Sequence, residues 1–192
     1  MKKKILIIDF GSQYSQLIAR RIREMEVYCE IVHSSHVMTA ISKEKENILG
    51  VILSGGPESV YEENSPTVEK ELFSLNIPIL GICYGMQLIA HLNGGTVEKA
   101  ESKEFGKASL EILEIENPLF ENVKQHSQIW MSHGDHITKL PDGFKVIAQT
   151  NTSIAAIMNN SNIYALQFHP EVSHSIFGKE ILENFIFKIC KC

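Results

Sequence analysis

An open, mostly parallel α/β sheet flanked by helices, with an additional β layer, is the fold class this sequence predicts. Three observations point to it. The first half alternates short β-branched runs with helix-period patterns. Those runs are apolar without interruption, as strands covered on both faces must be. From about residue 109 the rhythm changes to strand-like segments joined by polar turns, and a helical pattern returns only at the end.

Ile5-Leu6-Ile7-Ile8 is the first such run, and Ser12 reads as the N-cap of a helix carrying Leu17, Ile18, Arg21 and Ile22. Residues 27–32 read as a second strand. Residues 50–53 form a third, followed by the turn Ser54-Gly55-Gly56-Pro57. Ser65 then Pro66 suits the cap and first turn of a helix that buries Val68, Leu72 and Phe73. Residues 77–82 make a fourth strand, with Pro78 at its start, where a missing N–H is tolerated. A helix follows from about Tyr84 to Leu92 and stops at Asn93-Gly94-Gly95.

Further strands fall over residues 109–115, 128–131, 144–149, 154–158 and 163–168, with Asn159-Asn160-Ser161-Asn162 as a hairpin connection. A last amphipathic helix carries Phe177, Ile181, Leu182, Phe185, Ile186 and Ile189 on one face. There is no internal repeat, linker or low-complexity stretch, so residues 1–192 read as one domain.

Composition narrows the function classes. Of 192 residues, 44% are apolar and 21% charged, as in ordinary soluble globular proteins. Eighteen Lys and Arg against 23 Asp and Glu give a net charge of −5, which argues against a broad nucleic-acid surface. No run approaches the ~18 apolar residues that span a bilayer. The apolar stretch after Met1-Lys2-Lys3-Lys4 is too short for a secretory signal. A cytoplasmic protein with no membrane partner is expected. Cys29, Cys83, Cys190 and Cys192 are too sparse for a disulfide-stapled domain, and Cys190-Lys191-Cys192 reads as a frayed, reduced tail.

Gly81-Ile82-Cys83-Tyr84-Gly85 is the first segment that carries chemistry. A strand feeding a helix through a tight turn exposes the intervening side chain at the carboxyl edge of the sheet, and flanking glycines permit that turn. A sulfur at a helix N-terminus also finds N–H groups that favour its charged form. The competing reading is a buried structural cysteine. His169-Pro170-Glu171 tips the balance, because it too follows an apolar strand. A nucleophilic thiol needs a base, and the base needs a third group that fixes its tautomer. Residues two apart in extended chain project to the same side, so Glu171 can reach one imidazole nitrogen of His169 and leave the other for Cys83.

The glycine-rich turn Ser54-Gly55-Gly56-Pro57 offers main-chain N–H groups to an oxyanion. It lacks the glycine and lysine spacing of a phosphate loop. His133, Asp135 and His136 lack further ligands nearby, so no metal is expected.

With these motifs in order, the chain resembles the class I (triad-type) glutamine amidotransferases from Ile5 to Cys190. Asp9-Phe10-Gly11-Ser12-Gln13-Tyr14, Ser54-Gly55-Gly56-Pro57-Glu58-Ser59, Tyr84 after the cysteine and Met131-Ser132-His133-Gly134-Asp135 look like the glutaminase part of GMP synthetases. The resemblance implies a flavodoxin-like fold. It implies that Cys83 attacks the glutamine amide, His169 shuttles the proton and Glu171 orients His169. It places the oxyanion between the N–H groups of Gly56 and Tyr84. Gln87, Ser132, Gly134 and Asp135 would hold the glutamine head group, and the loop over residues 132–136 would form part of a docking face. No cofactor is expected in this domain. ATP and Mg belong to the partner, an ATP-pyrophosphatase synthetase domain or subunit that converts XMP to GMP. Two alternatives remain: a glutaminase subunit of anthranilate or aminodeoxychorismate synthase, and a catalytically silent regulatory docking module.

Overall fold

The computed structural model describes residues 2–160 and 162–192, with the backbone alone for residues 101–103. Strand β1 spans Lys4–Asp9, helix α1 Ser15–Glu24, β2 Cys29–His33, α2 Val37–Glu44 and β3 Ile48–Leu53. β4 spans Ile79–Ile82, α3 Tyr84–Leu92, β5 Thr96–Ile112 and β6 Ser127–Lys139. β7 (Phe144–Gln149), β8 (Ile154–Asn159) and β9 (Ile163–Leu166) follow, and α4 (Gly178–Glu183) runs on into a π-helical turn over Asn184–Ile189.

These strands form one nine-stranded sheet in the order β2-β1-β3-β4-β9-β8-β7-β5-β6. From β2 to β9 every pairing is parallel, and from β9 to β6 every pairing is antiparallel. The continuous apolar runs have the expected cause. Ile5 and Ile7 of β1 point into a core shared with α1 and the C-terminal helix, whereas Leu6 and Ile8 point into a second core shared with α2 and α3. The inner parallel strands β1, β3, β4 and β9 therefore bury both of their faces, whereas β2, at the sheet edge, is only partly covered beyond Cys29.

The additional β layer is a long hairpin. β5 leaves the sheet edge at Glu111 and Ile112, which pair with β7, and runs back along β6. Its far end brings Val97 and Ile137 into the core around α3. Burial alternates along β6 from Ser127 to Ile137, so Ile129, Met131, His133 and Asp135 face inward. The expected loop over residues 132–136 is thus strand, and its polar inward residues are what hid the alternation.

Other expectations need correcting. Ser12 does not cap α1; its Oγ accepts from the Tyr14 N–H at 3.0 Å, a turn ahead of the helix. No α-helix follows Ser65. The chain there stays extended, and Tyr84 donates its hydroxyl proton to the Pro66 carbonyl; only a 3-10 turn forms, over Lys70–Ser74. Val68 and Leu72 are still buried, so the apolar spacing was real although its helix was not. Helix α2, with Val37 and Ile41 buried, has no counterpart in the sequence reading. The C-terminal tail is not frayed at Cys190, whose thiol packs under Gly50 of β3, while Cys192 is exposed. The hairpin expected at residues 159–162 includes Ser161, which lies outside the described residues. Among the described residues, no helix is long and apolar enough to cross a membrane.

Candidate active site

β1, β3, β4 and β9 are mutually parallel, so the segments that follow them emerge at one edge of the sheet. Open α/β sheets bind their ligands at that carboxyl edge. Gly11 to Tyr14, Ser54 to Glu58, Cys83 and His169 all come from those four strand ends.

Cys83 sits between β4 and α3 with φ +53° and ψ −106°, a conformation that a side chain adopts only under constraint. Close packing supplies the constraint. A Cβ on Gly85 would stand 2.3 Å from the Leu53 carbonyl oxygen, and one on Gly81 would stand 2.7 Å from Gly85. Only glycine lets helix and strand approach so closely. Main-chain hydrogen bonds then pin the elbow to both neighbours: Cys83 N–H to the Leu166 carbonyl at 2.7 Å, and Gly85 N–H to the Ser54 carbonyl at 3.1 Å. The Cys83 residue is buried, and its thiol donates to the Ser132 carbonyl at 3.5 Å.

His169 follows β9. Its Nδ1–H donates to Oε1 of Glu171 at 2.7 Å, and the two side chains are only 5% and 0% exposed. A Cβ on Gly55 would lie 3.1 Å from Cε1 of His169 and 3.8 Å from Cβ of Cys83, so the imidazole and the cysteine border the same small gap. Burial alone would push the imidazole below its ordinary value. The Glu171 carboxylate and the Cys83 thiol reverse that and hold it well above the usual histidine range. The Tyr14 ring packs edge-on against the imidazole with centroids 5.3 Å apart. Arg21 of α1 donates from Nε to the Glu171 carbonyl at 3.1 Å.

A cavity of about 630 Å³ opens in front of these groups, lined by Cys83, His169, Gly56, Gln87, Ser132 and Asp135. Gly134 lines it too. Among the described residues, the N–H groups of Gly56 and Tyr84 have no acceptor. The Tyr84 side chain points elsewhere, into the core.

Two predicted residues do more than border the cavity. Gln87 Nε2 donates to the Asp135 carbonyl at 3.0 Å and to Oε1 of Gln167 at 3.3 Å, tying α3 to β6 and to the segment that follows β9. Asp135 accepts from Ser59 Oγ at 2.5 Å and from Tyr61 Oη at 2.9 Å, which straps the segment after β3 across the cavity. His133 does not point out as a ligand. Its Nδ1–H donates to the Asp135 carbonyl at 2.8 Å, and its Nε2 faces Glu104 at 3.2 Å. Burial keeps that imidazole below its ordinary value, against the pull of the Asp135 carbonyl and Glu104. His133 faces inward on β6 and His136 outward, so the cluster cannot converge on one ion.

The sequence reading missed Tyr14, Tyr61, Gln167 and Ser175 as parts of the site. Tyr61 lies two residues beyond Ser59, close enough for a pocket wall at Ser54 to Ser59 to have been extended to it. Tyr14 closes the motif that begins at Asp9, and Gln167 and Ser175 flank His169-Pro170-Glu171, but nothing in their residue types says which neighbours they meet.

Fold and geometry together define an α/β protein with a cysteine elbow facing a buried His–Glu pair. The family model "Glutamine amidotransferase class-I" matches residues 6–189. The chain belongs to the class-I glutamine amidotransferase family. It is 55% identical to "GMP synthase [glutamine-hydrolyzing]" of Fusobacterium nucleatum across 100% of its own length. It is 56% identical to the protein of the same name from Brachyspira hyodysenteriae across 98% of its length. The chain spans 37% of the length of each of these relatives. Among solved structures, a candidate GMP synthase subunit of Thermoplasma acidophilum is 34% identical with TM-score 0.85, covering 100% of this chain and 95% of that one. A glutamine amidotransferase from Thermotoga maritima, 19% identical, shares the fold over the whole of both chains with TM-score 0.80.

Proposed function

We propose that this chain hydrolyses glutamine to glutamate and ammonia through Cys83, His169 and Glu171. The ammonia then goes to an ATP-dependent synthetase domain or subunit that converts XMP to GMP. The observation that carries the chemistry is the buried His169–Glu171 pair, 2.7 Å apart, beside a cysteine held in an elbow. Likeness over the whole chain to proteins named "GMP synthase [glutamine-hydrolyzing]" supports the destination of the ammonia.

In this reading the Cys83 thiolate attacks the side-chain amide carbon of glutamine. The carbonyl electrons move onto oxygen, and the N–H groups of Gly56 and Tyr84 stabilise that charge. His169, protonated, gives its proton to the amide nitrogen as the C–N bond breaks, and ammonia leaves. The product is a γ-glutamyl thioester on Cys83. Neutral His169 next takes a proton from water, whose oxygen attacks the thioester. Collapse expels the thiolate and frees glutamate, returning the starting charge states. Glu171 fixes the His169 tautomer throughout, so that Nε2 faces the reacting atoms. Gln87, Ser132, Gly134 and Asp135 border the space for the α-amino acid end, where the Asp135 carboxylate suits an ammonium group. ATP and Mg act in the synthetase part.

Cys83→Ala in the assembled enzyme tests the proposal. Glutamine-dependent GMP formation should disappear while ammonia-dependent GMP formation stays. Ammonia release from glutamine by Cys83→Ala would end the assignment.

A further inference from the structure

β6 is the last strand of the sheet, yet its outer edge is not bare. Ile176 N–H donates to the Gln128 carbonyl at 3.0 Å, and Gln128 Nε2 donates to the His174 carbonyl at 2.8 Å. His169 N–H donates to the Trp130 carbonyl at 3.1 Å. A regular β pair would return a bond from Trp130 N–H to the His169 carbonyl. Here a side chain stands in that bond. Trp130 N–H donates to Ser175 Oγ at 3.0 Å, and Ser175 Oγ donates to the His169 carbonyl at 2.6 Å.

We infer that Ser175 is a positioning residue, whose hydroxyl is a spacer inserted into the β6–His169 pairing that sets where the imidazole stands relative to Cys83. This rests on the proposed role of His169. Ser175 is 4% exposed, and its hydroxyl both accepts and donates, so it is a buried bridge between the two main chains. The chain between the two residues is too tight to adjust on its own. Ser175 N–H donates to the Val172 carbonyl at 3.1 Å, and Gly178 N–H to the Ser175 carbonyl at 3.0 Å. A Cβ on Gly178 would stand 1.9 Å from the Pro170 carbonyl oxygen, so the loop closes back on the His169-Pro170-Glu171 turn with no slack. Arg21 holds the Glu171 carbonyl from the other side. With valine there, a methyl fills the space of the hydroxyl, and the Trp130 N–H and His169 carbonyl lose their partner unless β6 and His169 shift relative to each other. That shift would move the imidazole, and a displacement of about 1 Å in a reacting group costs on the order of 100-fold in rate.

The test compares Ser175→Thr with Ser175→Val, which match in shape and differ by the hydroxyl. The full enzyme is used, with wild type and Cys83→Ala as references. Glutaminase kcat and KM are measured from pH 6 to 10, and the His169 ring is followed by NMR titration. The inference expects Ser175→Val to lose about 10- to 100-fold in kcat with KM within about threefold. Ser175→Thr should keep kcat within a few fold, and the His169 titration should move in Ser175→Val alone. Equal kcat for the two variants with the same His169 titration as wild type overturns it. The NMR arm reads the His169 position without turnover. An inactive wild type would therefore count against the glutaminase reading, while the Thr–Val difference in titration still decides the role of Ser175.

Discussion

His169 and Glu171 form a hydrogen bond of 2.7 Å between Nδ1 and Oε1, closed off from solvent, two residues apart on one extended turn. A carboxylate in that position does two separate things. It fixes which ring nitrogen carries the first proton, and it stabilises the second proton when the ring becomes cationic.

Glu171→Gln removes the charge and keeps the shape. The elevated His169 value should fall toward or below the ordinary histidine value of about 6.5, because burial is then opposed by less negative charge. NMR titration of the imidazole reads this directly. The kcat for glutamine should fall by about 100-fold or more, since the amide can hold the wrong tautomer.

The same shift predicts a pH dependence of stability. The folded-state value of His169 lies above its unfolded value, so its protonation stabilises the fold fully below pH ~6.5. That contribution fades as pH rises through the elevated folded value. The excess stability of wild type over Glu171→Gln in urea unfolding should therefore be larger at pH 6 than at pH 9. A difference that grows with pH would show that the ring is not held in its charged form.

Gly85→Ala tests the elbow itself. The added methyl would overlap the Leu53 carbonyl oxygen at 2.3 Å, a backbone atom that cannot rotate away. The fold should lose about 3 kcal/mol or fail to form, as measured by thermal melting and soluble yield. A stable, active Gly85→Ala would mean that strand and helix are not so closely opposed.

Tyr61→Phe tests the strap over the cavity. It leaves Asp135 with one donor fewer, so the KM for glutamine should rise about 3- to 10-fold with kcat little changed. Combined with Asp135→Asn, the effect should be less than additive, because both changes remove the same contact. Strict additivity would place Tyr61 outside the binding of substrate.

Much of this was legible from local signals. The parallel half announced itself in runs such as Ile5 to Ile8, and helix α3 was bounded by an elbow glycine at one end and Asn93-Gly94-Gly95 at the other. Cys83, His169 and Glu171 stood beside strand ends, and strand ends share an edge in a parallel sheet. What stayed hidden was long-range. β5 begins at Thr96, well ahead of its apolar stretch, because charged Glu98 and Lys99 are held by pairing with β6 rather than by any pattern of their own. The segment after Ser65 carries a helical spacing, but the hydroxyl of Tyr84 holds Pro66 in extended chain. Ser175 is an ordinary polar residue until Trp130, brought in from β6, gives it a second partner.

The most direct test of the central claim is covalent labelling with an electrophilic glutamine analogue, mapped by mass spectrometry with the synthetase partner present. The chain has four free cysteines, of which Cys192 is exposed and Cys83, Cys29 and Cys190 are buried. If Cys83 is the nucleophile that His169 activates, the adduct will form on Cys83 despite its burial, glutamine will protect it, and His169→Ala will suppress it. An adduct chiefly on exposed Cys192, or labelling of Cys83 that ignores both glutamine and His169, would contradict the account.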